Sequence, residues 1–280
     1  MPTPQLPVAV IGATGTVGSR LTRQLHGRGV PVRAASRSGT HHFDWTDDAT
    51  FRPLVEGASA VYLLPPVGSA APADPMGRLV RVALESGVRR FVLQSASVID
   101  RGDPGLGEVH DLIASETPEW AVIRPSWFMQ NLEPGHYLGD HLAAHDSLPT
   151  SVDDGRVAFV DAEDIAAVAA HALVDTTAHQ AEHLVTGPEA LTYDDVAAAL
   201  SDVTGRTIVH ERVTVDRVEQ LMLAAGMPSD FVPFLAGLEN HLRVGGEGTV
   251  SDAVATVTGR PARSLREYLT ANAAIWRRAA

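Results

Sequence analysis

Three glycines at intervals of three, Gly12, Gly15 and Gly18, lie between the apolar run VAVI at 8–11 and a stretch with helical spacing. Glycine there meets three separate demands of a phosphate cradle. The first permits a sharp turn, the second lets backbone approach a pyrophosphate, and the third lets helix pack on strand. The helix start adds unpaired N–H groups and a positive dipole end around an anion. Strand, glycine turn and helix in that order predict a dinucleotide site rather than a bare structural turn.

The second strand decides which dinucleotide. A free ribose 2′-hydroxyl is held by a carboxylate at that strand's end. Here the segment reads Arg33-Ala-Ala-Ser-Arg37-Ser-Gly39, and no carboxylate comes before Asp44. A guanidinium flanked by serine hydroxyls suits a 2′-phosphate in paired hydrogen bonds. The segment predicts NADP(H) as cofactor, held by Arg37; the plainer alternative is a solvated arginine.

The elements that must carry these residues alternate through the first half of the chain. Apolar runs at 6–11, 30–35, 60–64, 90–94 and 120–123 read as buried strands, and 16–28, 76–86 and 109–116 as helices. Such alternation predicts an α/β Rossmann fold, a doubly wound parallel sheet with helices on both faces. Beyond Pro125 the pattern changes. RVAFV at 156–160 reads as a strand, Asp161 as the cap of a helix through Leu173, EHLVTG as another strand, and Thr192-Tyr-Asp-Asp195 as a capping box. Helical patterns recur at 215–225, 228–242, 251–257 and 264–276. The expected organisation is an NAD(P)-binding domain at 1–188, to which 126–150 add cleft residues, and a smaller, mostly helical substrate-covering domain at 189–280.

Composition narrows the chemistry. Of 280 residues 45 % are hydrophobic, enough for a full core. The net charge of −12 argues against nucleic acid or an anionic membrane as main partner. There is no cysteine, hence no disulfide, zinc–thiolate site or Cys nucleophile. Residues 1–5 lack the features of a signal peptide, and no apolar run reaches the roughly 18 residues of a membrane span. A cytoplasmic protein, monomer or homodimer, acting on a small molecule is expected. All 22 basic residues are arginine, so no step can use a lysine. His141 and His145 share a helix face, but no third ligand is evident and no metal is expected. No G-x-S-x-G elbow supports a hydrolase.

The motifs G-A-T-G-x-V-G, RAASRS, FDWTD, WAVIRPSWFMQNL and FVDAEDIAAVAAHAL together resemble the NmrA-like group of atypical short-chain dehydrogenases/reductases. HLVTGPEALTYDDVAAALSDVTGR continues the resemblance, which covers essentially the whole chain. The Arg-Pro-Ser-Trp-Phe-Met-Gln-Asn stretch is similar to the branch containing festuclavine dehydrogenases. This implies a Rossmann domain, NADP(H) and a cleft covered by C-terminal helices. It also implies roles by position. Gly12, Thr14, Gly15, Thr16, Val17 and Gly18 would meet the pyrophosphate, Arg37 and Ser38 the adenosine phosphate, and Asp44 and Trp45 the adenine. Leu64, Pro65 and Pro66 would line the nicotinamide ribose, Ser95, Ala96 and Ser97 the nicotinamide, and Trp127, Phe128 and Asn131 the substrate.

The sequence departs from typical short-chain dehydrogenases in its acid. These use a Y-x-x-x-K pair, which a chain without lysine cannot supply. His110 stands in the segment where that tyrosine is expected, and its imidazole suits proton transfer near neutrality; Tyr137 is a second candidate. Ketone reduction needs a well-placed acid, whereas an iminium ion accepts hydride without a proton, and an enolate from an enone or quinone can take one from water. The expected activity is therefore NADPH-dependent reduction of a small hydrophobic iminium, enone or quinone, in secondary metabolism. The alternatives are a dinucleotide-sensing regulator without turnover and a non-redox isomerase or cyclase.

Overall fold

The computed structural model describes residues 6–66, 68–69 and 71–276. Residues 1–5, in which no signal peptide was read, lie outside that range. In chain order the elements are β1 (Val8–Ile11), α1 (Thr16–Gly27), β2 (Val32–Ser36), β3 (His41–His42), α2 (Phe51–Val55), β4 (Ala60–Leu63), α3 (Ala73–Glu85), β5 (Arg90–Gln94), α4 (Leu106–Glu116) and β6 (Glu119–Pro125). They continue with α5 (Tyr137–His145), β7 (Ser147–Thr150), α6 (Ala162–Val174), β8 (Ala181–Val185), α7 (Tyr193–Thr204), β9 (Val209–Arg212), α8 (Val215–Ala224), α9 (Val232–Arg243), α10 (Ala253–Thr258) and α11 (Leu265–Ala271).

Seven strands form one parallel sheet in the order β3-β2-β1-β4-β5-β6-β8. Strands β1, β4 and β5 are short runs of Val, Ile, Leu, Ala and aromatics with their central residues buried, as a sheet covered on both faces requires. One face holds the core of Ile11, Phe43, Phe51, Leu79, Phe91 and Ile113. Helix α6 is apolar around nearly its whole circumference because it is buried on all sides; its alanines let α1 pack closely along it. Chain order reverses at β1, which pairs with β2 on one side and β4 on the other. Ligands of open α/β sheets bind at such a switch point, beyond the carboxyl ends of the strands.

The chain divides into two compact units, Met1–Pro125 with Ala162–Val185 and Thr256–Gly259, and Ser126–Asp161 with Thr186–Ala255 and Arg260–Ala280. This differs from a single boundary at 188. Met129, Leu132, Leu138, Leu142 and Leu148 join Tyr193, Val196, Leu200, Val218, Leu242 and Tyr268 in one core, which draws 126–161 into the second unit. Among the described residues, its one strand pair is β7 with β9, parallel, and its other elements are helices. The strand expected at 156–160 is present only as isolated bridges, Phe128 to Val160 and Val157 to Leu191 and Glu247.

Candidate functional site

Gly12 sits at φ +69°, a conformation that side chains rarely adopt. A Cβ there would lie 2.3 Å from Leu64 Cδ2, so glycine also leaves room for the β4 loop. At Gly18 a Cβ would come within 2.1 Å of the Gly12 carbonyl oxygen, and helix α1 packs against the turn only because none is present. Gly15 begins α1 with no side-chain cap, which leaves the first-turn N–H groups at the edge of the turn without an internal partner.

These residues open onto a cleft of about 470 Å³ in the first unit, lined by Gly12, Thr14, Gly15, Ser36, Arg37, Ser38, Phe43, Asp44, Trp45, Thr46, Leu64, Pro65 and Pro66 together with Ile11. Ten residues expected from the sequence meet there. Thr16, Val17 and Gly18 stand behind the lining in the first turn of α1.

One end of the cleft is polar. Arg37 and Ser38 are exposed beyond β2, and the Arg37 carbonyl meets His42 Nδ1 at 2.8 Å, which ties the Arg37 turn to β3. Ser36 is the other serine flanking Arg37, to which the sequence alone assigned no separate role. Its hydroxyl is buried without a hydrogen-bond partner, and a Cβ on Gly39 would lie 2.6 Å from it. The S-R-S-G spelling held that signal: where a carboxylate would stand, there is a hydroxyl with space kept open beside it. The other wall is aromatic, with Trp45 edge-on to Phe43 at 4.8 Å. Asp44 accepts from the Thr46 amide and hydroxyl, both at 2.8 Å, and these bonds hold its carboxyl below the usual range.

Ser95, Ala96 and Ser97 follow β5 and do not line this cleft. Ser95 N–H donates to Ile123 O at 2.8 Å and Ser97 N–H to Pro125 O at 3.0 Å, continuing the strand pairing.

The substrate candidates belong to the second unit. Trp127 packs on its core, and Val160 N–H donates to the Trp127 carbonyl while Met129 N–H donates to Val160 O, both at 2.9 Å. Phe128 and Asn131 are half-buried beside it. Neither acid candidate stands in an open site. Tyr137 is buried and its hydroxyl donates to Glu239 Oε1 at 2.7 Å; burial and that carboxyl push the phenol well up. Glu239 also accepts from the Ser151 amide and hydroxyl, and burial pushes its carboxyl up. His110 is 2 % exposed in α4, tilted against Trp120 at 5.8 Å. Burial pushes its imidazole down, and it does not line the cleft. Helix α4 turns His110 inward with Val109 and Ile113. His141 and His145 lie ring to ring at 4.4 Å, and no three potential metal ligands come together among the described residues.

Fold and site define a Rossmann-type α/β protein with a glycine-rich turn at its switch point. The NmrA-like family model matches residues 5–272, and the chain belongs to that family. It is 37 % identical over 280 residues to the uncharacterized oxidoreductase YesF of Bacillus subtilis, covering 97 % of each chain. It is 33 % identical over 287 residues to an agroclavine dehydrogenase of Claviceps fusiformis, covering 97 % of this chain and 99 % of the relative. The fold matches an NADPH complex of the quinone oxidoreductase QOR2 of Escherichia coli, with TM-score 0.75, 19 % identity, and 94 % and 99 % of the two chains covered. No helix among the described residues is long and apolar enough to cross a membrane.

Proposed function

We propose that this protein is an NAD(P)H-dependent oxidoreductase that prefers NADPH and reduces a small apolar acceptor of iminium, enone or quinone type, with a role in secondary metabolism. The observation that carries this reading is the cleft of about 470 Å³ where Gly12, Gly15 and Arg37 meet. Its residues fit a dinucleotide. Gly12 holds a positive φ, Gly18 has no room for a Cβ against the Gly12 carbonyl, no side chain caps the first turn of α1, and the Ser36 hydroxyl is buried and unpaired.

Gly12, Thr14, Gly15, Thr16, Val17 and Gly18 would hold the pyrophosphate, and Arg37 with Ser36 and Ser38 the 2′-phosphate. Asp44 and Trp45 are assigned to adenine, Leu64, Pro65 and Pro66 to the second ribose, and Ser95, Ala96 and Ser97 to the nicotinamide. When bound, the dinucleotide supplies a hydride. Substrate recognition is assigned to Trp127, Phe128 and Asn131 in the second unit. With no lysine in the chain and with His110 and the Tyr137 hydroxyl both buried, the favoured acceptors need no proton from the protein. The names of the relatives support oxidoreduction of small molecules.

Turnover is tested by loss of NADPH absorbance with a panel of quinones, enones, azo dyes and cyclic iminium ions. Oxidation with at least one class, slower with NADH, is expected. NADPH binding with no oxidation across the panel would leave a sensor, and no binding would overturn the reading.

A further inference from the structure

Arg124 belongs to the Arg-Pro-Ser-Trp-Phe stretch, yet it is not part of the cleft. It is the penultimate residue of β6, and its side chain is only 13 % exposed. Nη2 donates to the Ser97 carbonyl and to Asp100 Oδ1, each at 2.6 Å, while Nη1 donates to Glu182 Oε2 at 3.0 Å. One planar fork therefore joins the loop after β5 to β6 and to the edge strand β8. Two carboxylates offset the cost of burying the cation, and the Nε finds no acceptor. Glu182 has His110 behind it, with Nδ1 3.8 Å from Oε2, too long for a hydrogen bond. Burial disfavours the charged imidazole, so His110 serves as a neutral floor.

The grip falls at a particular place. Pairing between β5 and β6 continues through the Ser95 and Ser97 amides, after which the chain leaves the sheet. The Ser97 carbonyl is where Arg124 holds it. This segment lies beyond the carboxyl end of β5, on the side where open α/β sheets bind their ligands.

We propose that Arg124 is a positioning residue for hydride transfer: by holding the Ser97 carbonyl it fixes the Ser95–Ser97 segment against the nicotinamide end of the dinucleotide. The proposal rests on the dinucleotide reading above. A purely structural arginine would add stability and leave the nicotinamide's surroundings unchanged. A lysine keeps the charge but lacks the planar fork that spans these three partners, so it restores the grip only in part.

The test uses the full chain with Arg124→Ala, Arg124→Lys and Asp100→Asn, the last at an exposed carboxylate. Four quantities are read: melting temperature, NADPH dissociation constant, emission of the bound reduced nicotinamide, and single-turnover oxidation of bound NADPH by menadione. Arg124→Ala should keep the dissociation constant within about threefold, because the pyrophosphate and adenosine contacts are untouched. Its nicotinamide emission should fall towards that of free NADPH and its single-turnover rate about tenfold or more, as small misplacements near a reacting centre do. Arg124→Lys should fall between, and Asp100→Asn should lose about two- to fivefold in rate. Emission and rate unchanged in folded Arg124→Ala, with or without a lower melting temperature, would overturn the proposal. If Arg124→Ala does not fold, unchanged emission and rate in both milder variants overturn it equally. Failure of the unmodified protein to bind NADPH would instead overturn the dinucleotide reading.

Discussion

Replacing Gly18 by alanine adds one methyl group at the tightest point of the turn. Its Cβ would stand 2.1 Å from the Gly12 carbonyl oxygen, 2.7 Å from the Gly12 carbonyl carbon and 3.1 Å from Ala13 Cα. All three are backbone atoms, so no side-chain rotation relieves the clash and either α1 or the 12–15 turn must move. Forcing a methyl into a packed site, with the side-chain and backbone shifts it entails, typically costs about 1–3 kcal/mol, and a clash with backbone alone falls towards the upper end. Gly27, in the same helix, has nothing within 4 Å of its ideal Cβ. Gly27→Ala should therefore be neutral or stabilise the protein by up to about 1 kcal/mol. Thermal melts of both variants, with NADPH titrations, separate the effects. Gly18→Ala should melt lower and bind NADPH at least about tenfold more weakly, corresponding to about 1.4 kcal/mol. Gly27→Ala should bind like the unmodified protein. A Gly18→Ala protein with unchanged melting and affinity would refute the close-approach reasoning.

Phenylalanine at Tyr62, Tyr137, Tyr193 or Tyr268 should leave turnover within about tenfold, roughly 1.4 kcal/mol of barrier, and a thousandfold loss at any of them would reveal an overlooked acid. Tyr137→Phe should nevertheless lower stability by about 1–3 kcal/mol, measured by denaturant melts, since it removes the donor to buried Glu239 Oε1. Trp127→Ala should raise KM and change acceptor preference with NADPH affinity kept; loss of folding would make the indole purely core. Burial pushes the His136 imidazole down to about 4, and its Nδ1 accepts from the Leu138 amide at the start of α5. The unfolded chain takes up this proton near 6.5, so the stability is fully present above that pH and lost as pH falls towards 4. His136→Asn, which keeps a capping acceptor, should flatten melting temperature between pH 6.5 and 4, and curves parallel to the unmodified protein would refute the linkage.

The glycine turn was legible because its signal is local: an apolar strand, glycines at fixed spacing and a helix start occupy residues 8–27. The capping box at Thr192 was legible for the same reason, and Thr192 and Asp195 bond each other's amides as read. Pairings set by distant partners were not. Strand β3 is two exposed histidines, readable as a strand only beside Ala35 and Ser36. Strand β7 contains a proline and gains its place from β9, near residue 210. The Val157–Val160 run looked like a strand from its valines, yet its neighbours are single residues of scattered segments. The units divide differently from the expected boundary at 188 for the same reason, because 126–161 joins a core completed only by residues beyond 190. At the site, Arg37 could be read from the missing carboxylate. Ser36 could be read only as a flanking hydroxyl, because that it is buried, unpaired and given space by Gly39 depends on the fold. His110 shows the converse: its type suggested an acid, and only the packing of α4 on Trp120 shows it enclosed.

The dinucleotide account stands most directly on Arg37, because pyrophosphate contacts are common to both nicotinamide cofactors and the cleft's preference must come from its polar end. Calorimetric titration of NADPH and NADH into the unmodified protein and Arg37→Ala measures this. NADPH should bind at least about tenfold more tightly than NADH, as a charge-assisted phosphate contact open to solvent allows. Arg37→Ala should remove most of that difference by weakening NADPH alone. Equal affinities in the unmodified protein, or a preference that survives the loss of the guanidinium, would contradict the assignment.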